Sequence, residues 1–341
     1  MIEIHIHVHF HSGASSGKSA SPSGSVRKGS TSFFHYMSSE VCRMASSGRY
    51  STSRNYATAL RSFRTFCSVR NLSFRSVTPS LLSDYENWLK RRGICLNTIS
   101  CYLRSLRAVY NRGVSQGLAE QTHPFRKVYT GVERTVKRGV GQDVIQRLQA
   151  LTLSCSSLSL VRDMFIFSFL ACGMPFVDMA YLTKSQIHDG YLVYRRHKTG
   201  RRIRIKLQGA MSEIIRRYAV PGRDYVFPVI KSGAGSVQAY SQYRSGVSYY
   251  NRQLKKLALL AGCSQNLTSY VTRHSWASMA YADKVGLPVI SKALGHTLPQ
   301  TTLIYVRDIN DTALDSANKR IINKIFGKKK VPPLFKNSDS Q

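Results

Sequence analysis

The chain has 341 residues, room for two compact domains, and 43% of them are hydrophobic, enough to bury ordinary cores. Fifty Lys and Arg against seventeen Asp and Glu give a net charge of +33, a self-repulsion that a polyanion relieves, so nucleic acid is the expected partner. No apolar run approaches the ~20 residues that cross a bilayer, no signal-peptide pattern opens the chain, and seven cysteines without C-x-x-C spacing argue against a disulfide framework or a zinc ribbon and for a reducing cytoplasm.

Residues 1–32 stand apart. Ile2, Ile4, Ile6, Val8 and Phe10 alternate with Glu3, His5, His7, His9 and His11, the period of a strand. The His face has the residue type of a metal site, but a stray or mis-started terminus is the favoured reading, and the Ser/Gly-rich stretch that follows reads as a flexible linker.

Residues 33–120 read as a helical domain. Tyr56, Leu60, Phe63 and Cys67 recur at helical spacing. Thr78-Pro79 supplies an N-cap and a first-turn proline ahead of Leu82, Tyr85 and Leu89, and Gly93 gives a stop. Asn97 is placed to cap a further helix with Ile99, Leu103, Leu106 and Tyr110 on one face. Arg104, Arg107 and Arg112 lie off that face and form either a solvated surface or a DNA-facing one. Residues 121–140, with Pro124, Gly131 and five basic residues, show no apolar period and read as a basic interdomain linker.

The second domain is expected over 141–327. Val144, Ile145, Leu148 and Leu151 suggest its first helix, and 164–170 an apolar one. A hairpin follows: a strand at 191–196, a turn at His197-Lys198-Thr199-Gly200, and a strand in which Ile203, Ile205 and Leu207 alternate with Arg202, Arg204 and Lys206. Helical patterns fill 211–218, 241–261, 270–283 and 288–294. A last helix near 311–326 carries Leu314, Ile321, Ile322 and Ile325, and a basic, polar tail covers 328–341. No P-loop, Rossmann fingerprint, H-E-x-x-H or EF-hand loop occurs.

Four elements of this domain matter jointly. They are Lys198 in the hairpin turn, Arg273 in Thr272-Arg273-His274, His296 in Leu294-Gly295-His296, and Tyr305 nine residues beyond His296. Singly each is an ordinary surface charge or packing residue; order and spacing make the set specific. The segment Leu294-Gly-His-Thr-Leu-Pro-Gln-Thr-Thr-Leu-Ile-Tyr305 resembles the histidine-to-tyrosine box of the tyrosine recombinases, the phage integrase family. Ser269-Tyr-Val-Thr-Arg-His-Ser-Trp-Ala-Ser278 is similar to their second-arginine box, Gly173-Met-Pro-Phe-Val-Asp-Met-Ala-Tyr-Leu182 to their first, and Lys198-Thr-Gly200 to their hairpin lysine. The likeness spans about residues 33–327 and looks nearest to bacterial integrases and DNA invertases.

The resemblance implies a mainly α fold with a small antiparallel β-sheet, arranged as a two-domain DNA clamp of a helical SAM-like core-binding domain and an α+β catalytic domain. It implies attack by the Tyr305 hydroxyl on a phosphodiester to give a 3′-phosphotyrosyl bond and a 5′-hydroxyl, with neither metal nor cofactor. Arg273 would grip the phosphate oxygens, Lys198 would act as general acid, and His296 would bind or orient a non-bridging oxygen. Double-stranded DNA, a homotetramer on paired sites and a bacterial cytoplasmic, nucleoid-associated location are the partners and place that follow.

Two positions depart from the family pattern. The histidine often found three residues before the second arginine is Tyr270, whose phenol can still hydrogen-bond. The first arginine is missing: its place is Pro175, three residues before Asp178, or in some relatives Cys172. Arg195, Arg196, Arg201 or Arg202 offer substitute charges, and Asp178 would support Arg273 or helix packing. The alternative reading is a degenerate recombinase that binds its site without efficient cleavage. A basic RNA-binding protein of another class would leave the 23-residue Arg273–His296 spacing without an account.

Overall fold

A computed structural model of the chain describes residues 32–133, 139–297 and 300–303, in two compact units of which the first ends at Glu133. The His-rich N-terminus, the expected helix at 311–326, the basic tail and Tyr305 lie outside the described residues.

The first unit is built from α1 (Phe33–Ser46), α2 (Tyr50–Cys67), α3 (Pro79–Arg91) and α4 (Leu96–Ser115). Thr78 caps α3 as expected: its side chain accepts from Leu81 N at 3.2 Å, a bond worth about 1 kcal/mol, and Pro79 opens the helix. Gly93 follows its C-cap with φ +70°. The core is aromatic. Phe33 meets Phe74 edge-on at 5.2 Å, and Phe63 lies 4.9 Å from Tyr85, all four fully buried.

Asn97 does not cap α4. Cys95 is the N-cap residue, and the Asn97 side chain instead exchanges hydrogen bonds with the backbone of Glu133 (3.0 and 2.9 Å). That exchange belongs to a wider fold-back of residues 121–133, the described part of the expected linker. Phe125 and Val128 are buried in this same core, and Glu86 accepts from Tyr129 N at 2.9 Å. Two buried side chains in a segment without a clear period are enough to dock it.

The second unit contains α5 (Gln142–Ala150), α6 (Ser156–Leu170), α7 (Phe176–Ala180), a three-stranded antiparallel sheet, α8 (Gly209–Tyr218), α9 (Val237–Leu260), α10 (Val271–Ala282), α11 (Leu287–Leu294) and the short α12 (Gln300–Leu303). The sheet runs β1 (Ile187–His188), β2 (Tyr191–Arg195), β3 (Arg202–Lys206) in order, with Leu192 opposite Ile205 and Arg195 opposite Arg202. The hairpin follows its sequence pattern; the two-residue β1 is too short to have shown a period. Helix α6 is apolar nearly all round because it lies in the core beneath α8, α9 and α10, where Phe165 and Phe167 are fully buried. Its one buried carboxylate, Asp163, is matched by Arg162, Arg217 and Tyr218.

Candidate active site

Arg273 sits on the buried face of α10, 3% exposed, within the run Val271, Thr272, Arg273, Ser275, Ala277. The helix is pinned from both sides. Ser168 of α6 hydrogen-bonds Thr272 Oγ1 and the Met174 carbonyl, both at 2.7 Å, and Ser275 accepts from Val140 N at 2.8 Å. From that position the guanidinium donates to the Gly173 carbonyl (3.1 Å), to the Leu294 carbonyl, and to His296 Nε2 (3.1 Å). The chain leaves α6 through Cys172 and Gly173, both left-handed at φ +55° and +71°.

Gly173 permits the approach of Arg273. A Cβ there would lie 2.6 Å from Arg273 Cα, closer than any real contact, besides the strain of a positive φ. Gly173→Ala is therefore expected to destabilise the fold by about 2–4 kcal/mol, overpacking and backbone strain together. Thermal melting of the purified variant checks this, and an unchanged midpoint would show that the α6 exit relaxes freely.

His296 follows α11, whose C-cap Gly295 is left-handed at φ +64° and packs on Arg196 and Ile203 too closely for any Cβ. Because a guanidinium only donates, His296 Nε2 must accept from Arg273, and the ring proton lies on Nδ1. Nδ1–H then donates to Thr302 Oγ1 at 2.9 Å. Thr302 is 1% exposed and stands three residues before Tyr305. Burial first, then the charges of Arg273, Arg196 and Lys198, push the imidazole down to about 4, so it is neutral at physiological pH.

The sign of the pH effect follows. The folded pKa lies below the unfolded value of 6.5, so the unfolded chain binds the extra proton. The stability that His296 contributes is complete above pH ~6.5 and declines as pH falls towards ~4. Melting midpoints at about pH 7 and about pH 5 should fall further apart for the parent chain than for His296→Gln. Equal falls would place the acid sensitivity elsewhere.

Lys198 is exposed at the hairpin turn, and its charge reaches His296. Two bonds hold that turn against the end of α11: Thr199 Oγ1 donates to the Gly295 carbonyl at 3.2 Å, and Arg196 Nη1 donates to the Leu294 carbonyl. Asp178 of α7 supports this hairpin directly. It accepts from His197 N at 2.7 Å and lies 2.8 Å from Arg196 Nε, an ion pair whose N–H direction misses hydrogen-bond geometry. Burial raises the Asp178 pKa, while the His197 amide and Arg196 work the other way. Tyr270 is the N-cap residue of α10, about half exposed, with its ring 5.8 Å from that of His274.

The structure thus brings Arg273, His296 and the Lys198 turn together around the end of α11, with Tyr270 at the start of α10. Pro175 and Cys172 offer no charge, and burial pushes the Cys172 thiol up to about 11. Arg196 is a member that the sequence reading did not single out from its neighbours. Its signal was the alternation itself: Leu192 (0%), Tyr194 (4%) and Arg196 (5%) share the inward face, whereas Arg195 is exposed and its side chain donates to the Gly200 carbonyl.

In the first unit, Arg112 is paired with the buried Glu40, which also holds Arg43 bidentately at 2.8 Å. Arg107 donates to Thr130 Oγ1 (3.2 Å) and the exposed Arg104 reaches the Gly131 carbonyl (3.5 Å). Among the described residues, no group of three or more His, Cys, Asp or Glu gathers as a metal site, and no helix is long and apolar enough to cross a membrane.

Comparison with known proteins identifies the family. The profile of the Phage integrase SAM-like domain matches residues 32–128, and that of the Phage integrase family matches residues 138–311. Tyrosine recombinase XerC of Halalkalibacterium halodurans is 25% identical over 269 residues, covering 76% of this chain and 88% of that protein. Among solved structures, a lambda integrase dimer bound to a COC′ core site superposes with a TM-score of 0.61 at 16% identity, covering 81% of this chain and 95% of the other. The Tn1549 transposon integrase in complex with transposon right-end DNA gives 0.60 at 13% identity, covering 85% and 99%. A lambda integrase tetramer bound to a Holliday junction gives 0.58 at 17% identity, covering 80% and 77%.

Proposed function

The chain belongs to the phage integrase family and is a site-specific tyrosine recombinase that cuts and rejoins DNA, and on that premise we propose that Tyr305 is its nucleophile, with Arg273, Lys198, His296 and Tyr270 completing the site. The observation that supports this most is the hydrogen-bonded line Arg273–His296–Thr302, which ends three residues before Tyr305. Through it the phosphate-binding guanidinium and the nucleophile's segment share one support.

The roles follow from chemistry. As the Tyr305 oxygen bonds to phosphorus, the bond to the 5′ oxygen breaks; the phenol gives its proton to solvent and Lys198 supplies one to the leaving oxygen. Arg273 neutralises the charge that grows on the non-bridging oxygens. A neutral His296 is no proton donor to the leaving group; it holds Arg273 by accepting from Nη2 and holds Thr302 by donating from Nδ1. Tyr270, half exposed, is available to hydrogen-bond the bound phosphate. Rejoining is the same step in reverse with a new 5′-hydroxyl, so the ester energy is kept in the protein–DNA bond.

Double-stranded DNA is the partner. The charge of +33 favours binding by counterion release, with exposed Arg104 and its neighbour Arg107 as candidate contacts in the first unit. Arg112, matched by Glu40, serves the fold. The lambda integrase tetramer on a Holliday junction supports four protomers on paired sites as the assembly, and a bacterial cytoplasmic location suits the seven cysteines, none in a C-x-x-C pair.

The test uses the purified full chain and a site selected by binding from a randomised duplex pool, nicked so that the cleaved fragment escapes. A protease-sensitive covalent adduct should form without added metal or ATP. Peptide mapping should place the nucleotide on Tyr305. Specific binding without an adduct, or an adduct on another residue, would overturn the reading.

A further inference from the structure

Two buried arginines meet on one oxygen. Arg273 Nη2 and Arg196 Nη1 both donate to the Leu294 carbonyl, although they come from different elements, α10 and the end of β2. Arg196 is 5% exposed. Its Nε side is fixed by the Asp178 carboxylate at 2.8 Å, and its Nη2 carries no hydrogen bond among the described residues. The head group is thus engaged at Nε and at Nη1 and has a donor to spare at Nη2.

The local charge does not balance. The buried Arg196 and Arg273 share a single carboxylate, Asp178, with the exposed Lys198 on the adjoining turn. Burying cations in excess of anions is costly unless another anion completes the set. Their summed field is visible in His296, whose protonation both arginines and Lys198 oppose. Meanwhile the two places where the family resemblance puts a first arginine, Pro175 and Cys172, carry no charge.

We propose that Arg196 supplies the second guanidinium to the scissile phosphate, so that this chain carries its first arginine on the hairpin beside Lys198 instead of on the loop before α7. This rests on the reading of the site given above. Two guanidinium groups that converge on one oxygen are close enough to serve the non-bridging oxygens of one phosphate, and the planar fork suits that anion. Arg196 exchanges no proton; it stabilises the charge that develops as Tyr305 attacks. Asp178 then acts as a positioning residue for Arg196.

The competing role is a staple between hairpin and α11, and the experiment must separate the two. Arg196→Ala and Arg196→Lys would be compared with the parent chain on two nicked substrates. One carries the natural scissile phosphate; the other carries a methylphosphonate there, which removes the negative charge that a guanidinium neutralises. On phosphate, Arg196→Ala should form adduct about 10²–10³-fold more slowly, with Arg196→Lys in between. On methylphosphonate the deficit of Arg196→Ala should shrink to within about threefold of the parent chain.

A deficit of equal size on both substrates would make Arg196 a structural staple and overturn the proposal. So would full activity of Arg196→Ala on phosphate. These outcomes differ from failure of the parent reading, which shows as no adduct from the unsubstituted chain on either substrate and removes both. Arg196→Lys keeps a cation beside Asp178, so a collapse of Arg196→Ala alone on melting leaves the comparison readable through the lysine variant.

Discussion

Tyr305→Phe is expected to form no covalent adduct on a nicked site while binding that site as tightly as the unsubstituted chain. On the proposed assignment the ring is kept and only the attacking oxygen is lost, so the effect falls on chemistry and not on docking. Removing a nucleophile outright costs more than removing one donor, and a loss of at least about 10⁴-fold is the expectation. The nearest hydroxyl placed on the same segment, Thr302 Oγ1, offers no substitute: it is buried and engaged by His296 Nδ1. Denaturing gels report the adduct and mobility shifts report the binding. An adduct that survives the substitution would assign the nucleophile elsewhere.

Arg273→Ala should lose on two counts. On the proposed assignment the guanidinium is a transition-state donor, whose removal costs about 10²–10³ in cleavage rate. It also satisfies the Gly173 carbonyl and His296 Nε2 in a site that is nearly closed to water, whereas the Leu294 carbonyl would keep its bond from Arg196. Leaving buried acceptors unpaired costs about 1–3 kcal/mol each, so the melting midpoint should drop by several degrees as well. Arg273→Lys would keep the charge yet lack the fork that reaches three acceptors, and is expected to restore stability better than rate. Single-turnover cleavage and thermal melting, measured side by side, separate the two effects. A variant with parent-like cleavage would remove Arg273 from the phosphate.

Much of the architecture was legible before any coordinates. The strand alternation from Tyr191 to Lys206 and the Thr78-Pro79 helix start are local signals, settled by residues within one or two turns of each other. The pairing of Arg273 with His296 was legible as order and spacing, because α10 and α11 are short and adjacent. What escaped depends on contacts far apart in sequence. Asn97 has the chemistry of a cap but found a better partner in the Glu133 backbone, 36 residues on. Phe125 and Val128 anchor a stretch whose composition reads as a linker, because burial of two side chains leaves no period. The support that Asp178 gives, expected for Arg273 or for helix packing, goes to Arg196 and the His197 amide, since only packing decides which arginine meets it. Arg196 itself was hidden among five arginines between 195 and 204, and only inward-outward parity sets it apart.

The end of α11 has a mechanical consequence. The Leu294 and Gly295 carbonyls anchor the hairpin through Arg196 and Thr199, and anchor α10 through Arg273, while the next residue, His296, leads by way of Thr302 towards Tyr305. The hairpin that carries Lys198, the guanidinium of Arg273 and the Thr302 segment therefore hang from one short stretch at the end of α11. A displacement of that stretch would bear on all three together. For an enzyme that cuts and rejoins DNA, the three are thereby mechanically coupled.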